Sequence, residues 1–153
     1  MKVFLRLSVV SLEVDKLFNK KSSVFVFILL ALFLGGLSSS NTGDDSWYQG
    51  LLKSQLNPPG YVFGIVWPIL YLFMGIAAYR SFDLISKLFL IQLFFNTIWS
   101  WLFFTYHLPL IALLDIWLLI FLNVKILLML YKKDSLSTIL YIPYILWLLF
   151  ASY

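Results

Sequence analysis

The chain has 153 residues, 62% of them hydrophobic and only 12% charged, with no cysteine, one histidine and a net charge of +4. A globular domain carries about 25% charge, so this composition excludes a water-facing surface and predicts an integral membrane protein. Without cysteine there is no disulfide, thiol catalysis or thiolate metal site, and a lone His107 leaves no histidine cluster for a metal.

The apolar runs are long and continuous rather than alternating every second residue, which predicts helices and not a barrel. Residues 1–21 form a basic, mildly amphipathic N-terminal extension. Glu13 and Asp15 interrupt it and no small-residue cleavage site follows, which argues against a signal peptide. An interfacial helix is expected there; the alternative is a start codon placed too far upstream, since Lys20 and Lys21 already make a normal flank for a span. Residues 22–153 are expected to form one transmembrane domain of five spans.

The first span runs from Val24 to about Ser38 and ends at Gly35-Gly36 and a polar loop. That loop, Ser39 to Gly60, carries Asp44, Asp45 and Lys53 and closes with Pro58-Pro59-Gly60, a pair of prolines that cannot continue a helix. The second span is about Tyr61 to Tyr79, the third Leu84 to Tyr106, the fourth Leu110 to Tyr131 and the fifth Leu136 to Tyr153, with His107-Leu108-Pro109 as a tight turn between the third and fourth. Lysine and arginine set the orientation. Lys2, Arg6, Lys16, Lys20, Lys21, Arg80, Lys87, Lys132 and Lys133 fall on one side, and Lys53 alone on the other. Lys125 lies near enough to the inner end of span four to snorkel. A bacterial membrane with a cytoplasmic N-terminus and an external first loop is expected. The positive charge therefore flanks spans, and a nucleic-acid partner is not expected.

Polar side chains inside spans are costly and are candidate functional residues. They are Gln92 and Asn96 in span three, and Asp115, Asn123 and Lys125 in span four. Gln92, Asn96 and Trp99 share one helical face; so do Gly64, Trp67 and Tyr71, and Tyr144, Trp147 and Ala151. Counting at 1.5 Å per residue puts Trp67, Asn96, Asp115 and Trp147 roughly 9–15 Å below the external surface. A ligand pocket in the outer half of the bundle, lidded by the aromatic loop, is the expectation. The bland alternatives are interfacial anchoring for Trp101, Tyr106, Trp117 and Tyr131, interhelical hydrogen bonding for Gln92, Asn96 and Asp115, structural roles for Asn123 and Lys125, and a surface turn for His107. There is no Ser/His/Asp set, no pair of intramembrane carboxylates and no metal spacing, so no conventional catalytic constellation is present and an enzymatic role stays open. No polar face is apparent in the inner half.

The order and spacing of particular residues go further. Trp47-Tyr48, Leu51, Lys53, Pro58-Pro59, Gly64, Val66-Trp67, Leu70-Tyr71, Met74-Gly75 and Tyr79 resemble the signature of the TspO/MBR family. These are tryptophan-rich sensory proteins related to the mitochondrial translocator protein, once called the peripheral benzodiazepine receptor. The resemblance continues through Gln92-Leu93, Asn96, Trp99, Phe103-Phe104, Ala112, Asp115, Pro143-Tyr144, Trp147 and Phe150-Ala151. It implies a five-helix bundle that binds protoporphyrin IX or haem as a ligand rather than a required cofactor, along with isoquinoline-carboxamide and benzodiazepine-type compounds. Carried over, the ligand site comprises Trp67, Tyr71, Asn96, Trp99, Asp115, Leu118, Trp147 and Ala151, with Tyr48, Pro58, Phe63, Gly64 and Val66 on the lid side. Trp67 and Trp147 match the tryptophans implicated in light- and oxygen-dependent porphyrin breakdown, and are the candidate catalytic residues. Transport of porphyrin or lipid is the remaining alternative. The chain departs from the family where Lys53 is followed by Ser54, Gln55 and Leu56, which predicts a looser lid, and where Pro68 enters span two. It stops at Tyr153, short of the sterol-linked tail, so sterol is not an expected ligand. Span three lacks the small-xxx-small pattern of the family's homodimer contact.

Overall fold

A computed structural model describes residues 21–152; residues 1–20 of the N-terminal extension and Tyr153 lie outside the described residues. Among these, the chain is all-helical. Helix α1 is Ser23–Ser39, α2 is a short loop helix, Ser46–Gly50, α3 is Gly60–Arg80, and α4 is Phe82–Ser100, continued by a π-helical turn at Trp101–Thr105. Helix α5 is Pro109–Tyr131 and α6 is Ser135–Ala151.

Local chemistry sets the boundaries. Asp45 caps α2 by accepting from the Trp47 and Tyr48 amides, and Asp134 caps α6 by accepting from the Leu136 and Ser137 amides. Pro109 starts α5, at the end of a helix where its missing N–H costs nothing. His107, at φ 54°, supplies the left-handed residue that turns the chain between α4 and α5. Pro68 and Pro143 both lie inside helices, so Pro68 does not end α3.

Among the described residues, three helices are long and apolar enough to cross a membrane: α3, α4 with its π turn, and α5. The apolar helices α1 and α6 are shorter, at 17 residues each. The five long helices close into a ring in which α1 packs on α4, α4 on α5, α5 on α6, α6 on α3 and α3 back on α1. Its outer surface is apolar: Leu29, Phe33, Phe94, Leu110, Leu114, Phe121 and Leu146 are all exposed, while Gln92, Asn96 and Asn123 are buried. An apolar exterior of this extent, over a core that also buries amides, is what a hydrocarbon solvent selects. The chain is an integral membrane protein.

Packing is tightest away from the loop, where Met74, Ala77, Ala78, Ile85, Phe89, Ile126, Leu130 and Tyr141 are fully buried. There α1 seats on α3 at Gly75: a Cβ on that residue would stand 2.7 Å from Ile28 Cδ1 and 3.1 Å from Phe25 Cε1. Arg80 closes this end by pairing with Asp134, Nε to Oδ2 at 3.1 Å. The hydrogen bonds from Arg80 and from Ser137 hold the Asp134 carboxyl down at about 2.

Candidate ligand pocket

At the loop end the ring does not fill. A cavity of about 390 Å³ lies between α1, α3, α4 and α6 beneath the first loop. Its aromatic walls are Phe63, Trp67 and Tyr71 from α3, Trp99 from α4, Phe104 from the π turn and Trp147 from α6. Trp67 stands edge-on to Trp147, with ring centroids 6.4 Å apart, and Phe63 is likewise edge-on to Trp147 at 5.7 Å. Such edge-to-face contacts fix the rings against one another and leave flat faces available.

Of the residues singled out from the sequence, Tyr48, Phe63, Gly64, Trp67, Tyr71, Asn96, Trp99, Trp147 and Ala151 line this space together. Pro58, Val66, Asp115 and Leu118 do not line it. Pro58 sits half-buried in the loop, Val66 packs against the core, and Leu118 is exposed on the outside of α5. Asp115 is buried, with Oδ2 lacking a hydrogen-bond partner. The common depth counted along the helices thus holds for α3, α4 and α6, but α5 stands behind the pocket wall. Its place is taken by α1, whose Ala31, Leu32, Gly35, Gly36 and Ser39 complete the lining. The Gly35-Gly36 pair marked this face in the sequence but read there as a helix end.

The floor is polar, and a continuous run of hydrogen bonds leads from it into the bundle. The Tyr71 hydroxyl donates to Asn96 Oδ1, and Asn96 Nδ2 donates to the Tyr144 hydroxyl at 2.7 Å. From there the chain of bonds runs away from the loop: Tyr144 donates to Gln92 Oε1 at 3.3 Å, Asn123 Nδ2 donates to the same oxygen at 3.4 Å, and Tyr141 donates to Asn123 Oδ1 at 2.7 Å. Asn123 Nδ2 is also held by the Leu119 carbonyl at 2.8 Å. Gln92 and Asn96 therefore do join helices, and Asn123 is structural, as the sequence suggested. No polar face is apparent in the inner half from the sequence; the structure buries Gln92, Asn123, Ser137 and Thr138 in the middle of the bundle and beyond it.

The first loop is seated by a residue that the sequence had assigned to a surface turn. His107 Nε2 lies 2.8 Å from Asp45 Oδ2, and its ring stacks on Trp47 with centroids 4.2 Å apart. Trp47 also stands edge-on to Phe103 at 5.7 Å, while Tyr48 tilts against Phe104 at 5.6 Å. Desolvation works against the Asp45 carboxylate, yet the His107 contact and the Tyr48 and Trp47 amides together hold its carboxyl below the usual range. A single left-handed residue thus carries the contact between the loop and the α4–α5 turn. Only its spatial neighbours reveal that role, because Asp45 and His107 are far apart in sequence. Lys53 lies over the Tyr48 ring, with Nζ 4.0 Å from its centroid.

Comparison with known proteins agrees with the residue pattern. Residues 24–153 match the model of the TspO/MBR family. The chain is 31% identical to the Tryptophan-rich protein TspO of Archaeoglobus fulgidus over 83% of its own length and 87% of the relative's. It is 37% identical to a protein of the same name from Chlorobaculum tepidum, over 71% and 75% of the two chains. A further relative, the Tryptophan-rich sensory protein of Cereibacter sphaeroides, is 28% identical over 84% and 85%. With the family model matched over residues 24–153, this protein is a member of the TspO/MBR family.

Proposed function

We propose that this protein is a five-span membrane sensor or regulator that binds a tetrapyrrole, protoporphyrin IX or haem, in a pocket within the outer half of the bundle. The single observation that carries this reading is the aromatic cavity of about 390 Å³, within the range of about 300–1,000 Å³ occupied by small-molecule sites. A flat apolar macrocycle gains affinity from burial and stacking against Trp67, Trp99 and Trp147. Its carboxylates reach the lid, where Lys53 supplies a cation. The tetrapyrrole itself is suggested by family resemblance, and a sensory role by the name borne by the Cereibacter relative. The 17-residue helices α1 and α6 complete the five spans, with the N-terminus cytoplasmic and the first loop external, because the lysines and arginines gather at the other end.

Titration with protoporphyrin IX, followed by quenching of tryptophan fluorescence and set against cholesterol, tests the assignment. Trp67→Phe and Asn96→Ala should each weaken porphyrin binding. Unchanged titrations for both variants would remove the ligand from this cavity. Isoquinoline-carboxamide or benzodiazepine-type compounds should displace the porphyrin if they share the site.

Photo-oxidative porphyrin breakdown is a second reading, favoured by one observation: the indoles of Trp67 and Trp147 face the same space in edge contact. Illuminated protein with protoporphyrin IX in air decides it. Soret absorbance that fades no faster than in detergent alone rejects the activity.

A further inference from the structure

The buried ladder of hydrogen bonds has a direction. The Leu119 carbonyl can only accept, so the Asn123 amide atom 2.8 Å from it is nitrogen. The same nitrogen reaches Gln92 at 3.4 Å, and only the Gln92 oxygen can face it, since two amide nitrogens would oppose their N–H groups. That oxygen also faces Tyr144 at 3.3 Å, so the Tyr144 hydroxyl donates. Tyr144 then accepts from Asn96 Nδ2 at 2.7 Å, which turns Asn96 Oδ1 toward Tyr71 and takes the Tyr71 proton. One backbone carbonyl on α5 thus orients every amide and hydroxyl up to the cavity.

The arrangement carries a visible cost. Gln92 Nε2 is buried with no hydrogen-bond partner. Rotating the Gln92 amide would pair that nitrogen with Tyr144 and leave the oxygen short instead, the milder defect of the two. Asn123 is what prevents the rotation.

We propose, on the footing that the cavity is the ligand site, that this polarity sets the hydrogen-bonding sense of its floor. With its proton committed to Asn96, Tyr71 offers a ligand only lone pairs. At Tyr71 the floor therefore favours a planar aromatic ligand's N–H or O–H donor over an acceptor, separately from the unpartnered Trp147 Nε1 donor on the same lining, and Asn123 is a positioning residue for that preference. Asn123 lies 14 residues along α5 from Pro109, about 21 Å below the loop end, and does not line the cavity. Removing its amide lets the ladder reverse. Gln92 Nε2 then donates to Tyr144, Tyr144 to Asn96, and Asn96 Nδ2 to Tyr71, whose hydroxyl turns its proton to the cavity.

The test uses the full chain in detergent and two isosteric tricycles as probes: carbazole, which has an N–H, and dibenzofuran, which has only an ether oxygen. Wild-type protein should bind carbazole about three- to tenfold more tightly, the worth of one net hydrogen bond. Asn123→Leu should abolish or invert that ratio. The double variant Asn123→Leu/Tyr141→Phe should do the same without stranding the Tyr141 hydroxyl, and serves if the single variant does not fold. Ultraviolet resonance Raman spectra, taken as differences against Tyr71→Phe in each background, give a readout that needs no ligand. The Tyr71 Fermi doublet should report a donor in wild type and an acceptor from Asn96 in the variants. An acceptor signature in wild type, or a carbazole preference unchanged in both variants, overturns the proposal. A correct Raman signature with neither tricycle bound overturns the pocket itself, and the selectivity with it, while the ladder's direction stands.

Discussion

Gly75 is where the structure makes its most quantitative demand. Alanine is better than glycine in a helix interior by about 1 kcal/mol, so Gly75→Ala in α3 would stabilise the protein if nothing stood in the way. Here a Cβ would lie 2.7 Å from Ile28 Cδ1 and 3.1 Å from Phe25 Cε1, against about 3.5–4.0 Å for ordinary carbon contact. Relief requires the Ile28 Cδ1 methyl, the free end of a side chain only 4% exposed, to turn into an already packed neighbourhood and the Phe25 ring to give by a few tenths of an ångström. Overpacking of this kind costs about 1–3 kcal/mol, enough to reverse the sign. Gly36, in α1, is the internal control: a Cβ there meets nothing within 4 Å, so Gly36→Ala should be neutral or stabilising. Thermal unfolding of detergent-purified protein, read by tryptophan fluorescence, compares the two. A double-mutant cycle with Ile28→Val, which deletes the clashing methyl, should return about 1 kcal/mol of coupling. The reasoning fails if Gly75→Ala is as stable as Gly36→Ala, or if the Gly75 and Ile28 substitutions add.

Three further outcomes are expected. Gly64 lines the cavity and a Cβ there has open space, so Gly64→Leu should fold normally, measured by its melting curve, yet lose most protoporphyrin binding; a folded variant with wild-type affinity would place the ligand elsewhere. His107→Ala removes both the Asp45 contact and the Trp47 stack, so stopped-flow release of bound porphyrin should accelerate by about tenfold, and an unchanged rate would mean that the loop is not held there. Asp134 has its carboxyl lowered from 3.8 to about 2, so the protonated unfolded state gains on the folded one as acid is added. The stabilisation from its pairing with Arg80 and Ser137 is present above about pH 4 and is lost as pH falls toward about 2. An acid titration should therefore show this loss in wild type and a flatter profile in Asp134→Asn; parallel profiles would show that the pair does not contribute.

Much of the molecule is determined one residue at a time along the chain. Solvent class follows from composition, because a chain this poor in charge cannot cover itself with polar groups. Helix ends follow from Asp134, Pro109, Lys132 and the Pro58-Pro59 pair, since each acts on backbone atoms within a turn of itself. The shared faces of Gly64, Trp67 and Tyr71, and of Gln92, Asn96 and Trp99, follow from the helical period alone, and the structure brings both to the cavity, Gln92 excepted. What the period cannot give is which helices are neighbours. Equal depth put Asp115 beside Trp67 and Trp147 in the expected pocket, but the ring order places α5 behind the wall and α1, with its small residues, in front. Contacts made across the ring were likewise beyond the sequence: the seat of Ile28 on Gly75, the latch between Asp45 and His107, and the hydrogen bonds that let one carbonyl at Leu119 orient Tyr71. Each depends on the approach of two segments distant in sequence, a distance that periodicity and propensity do not encode and that only the packed bundle decides.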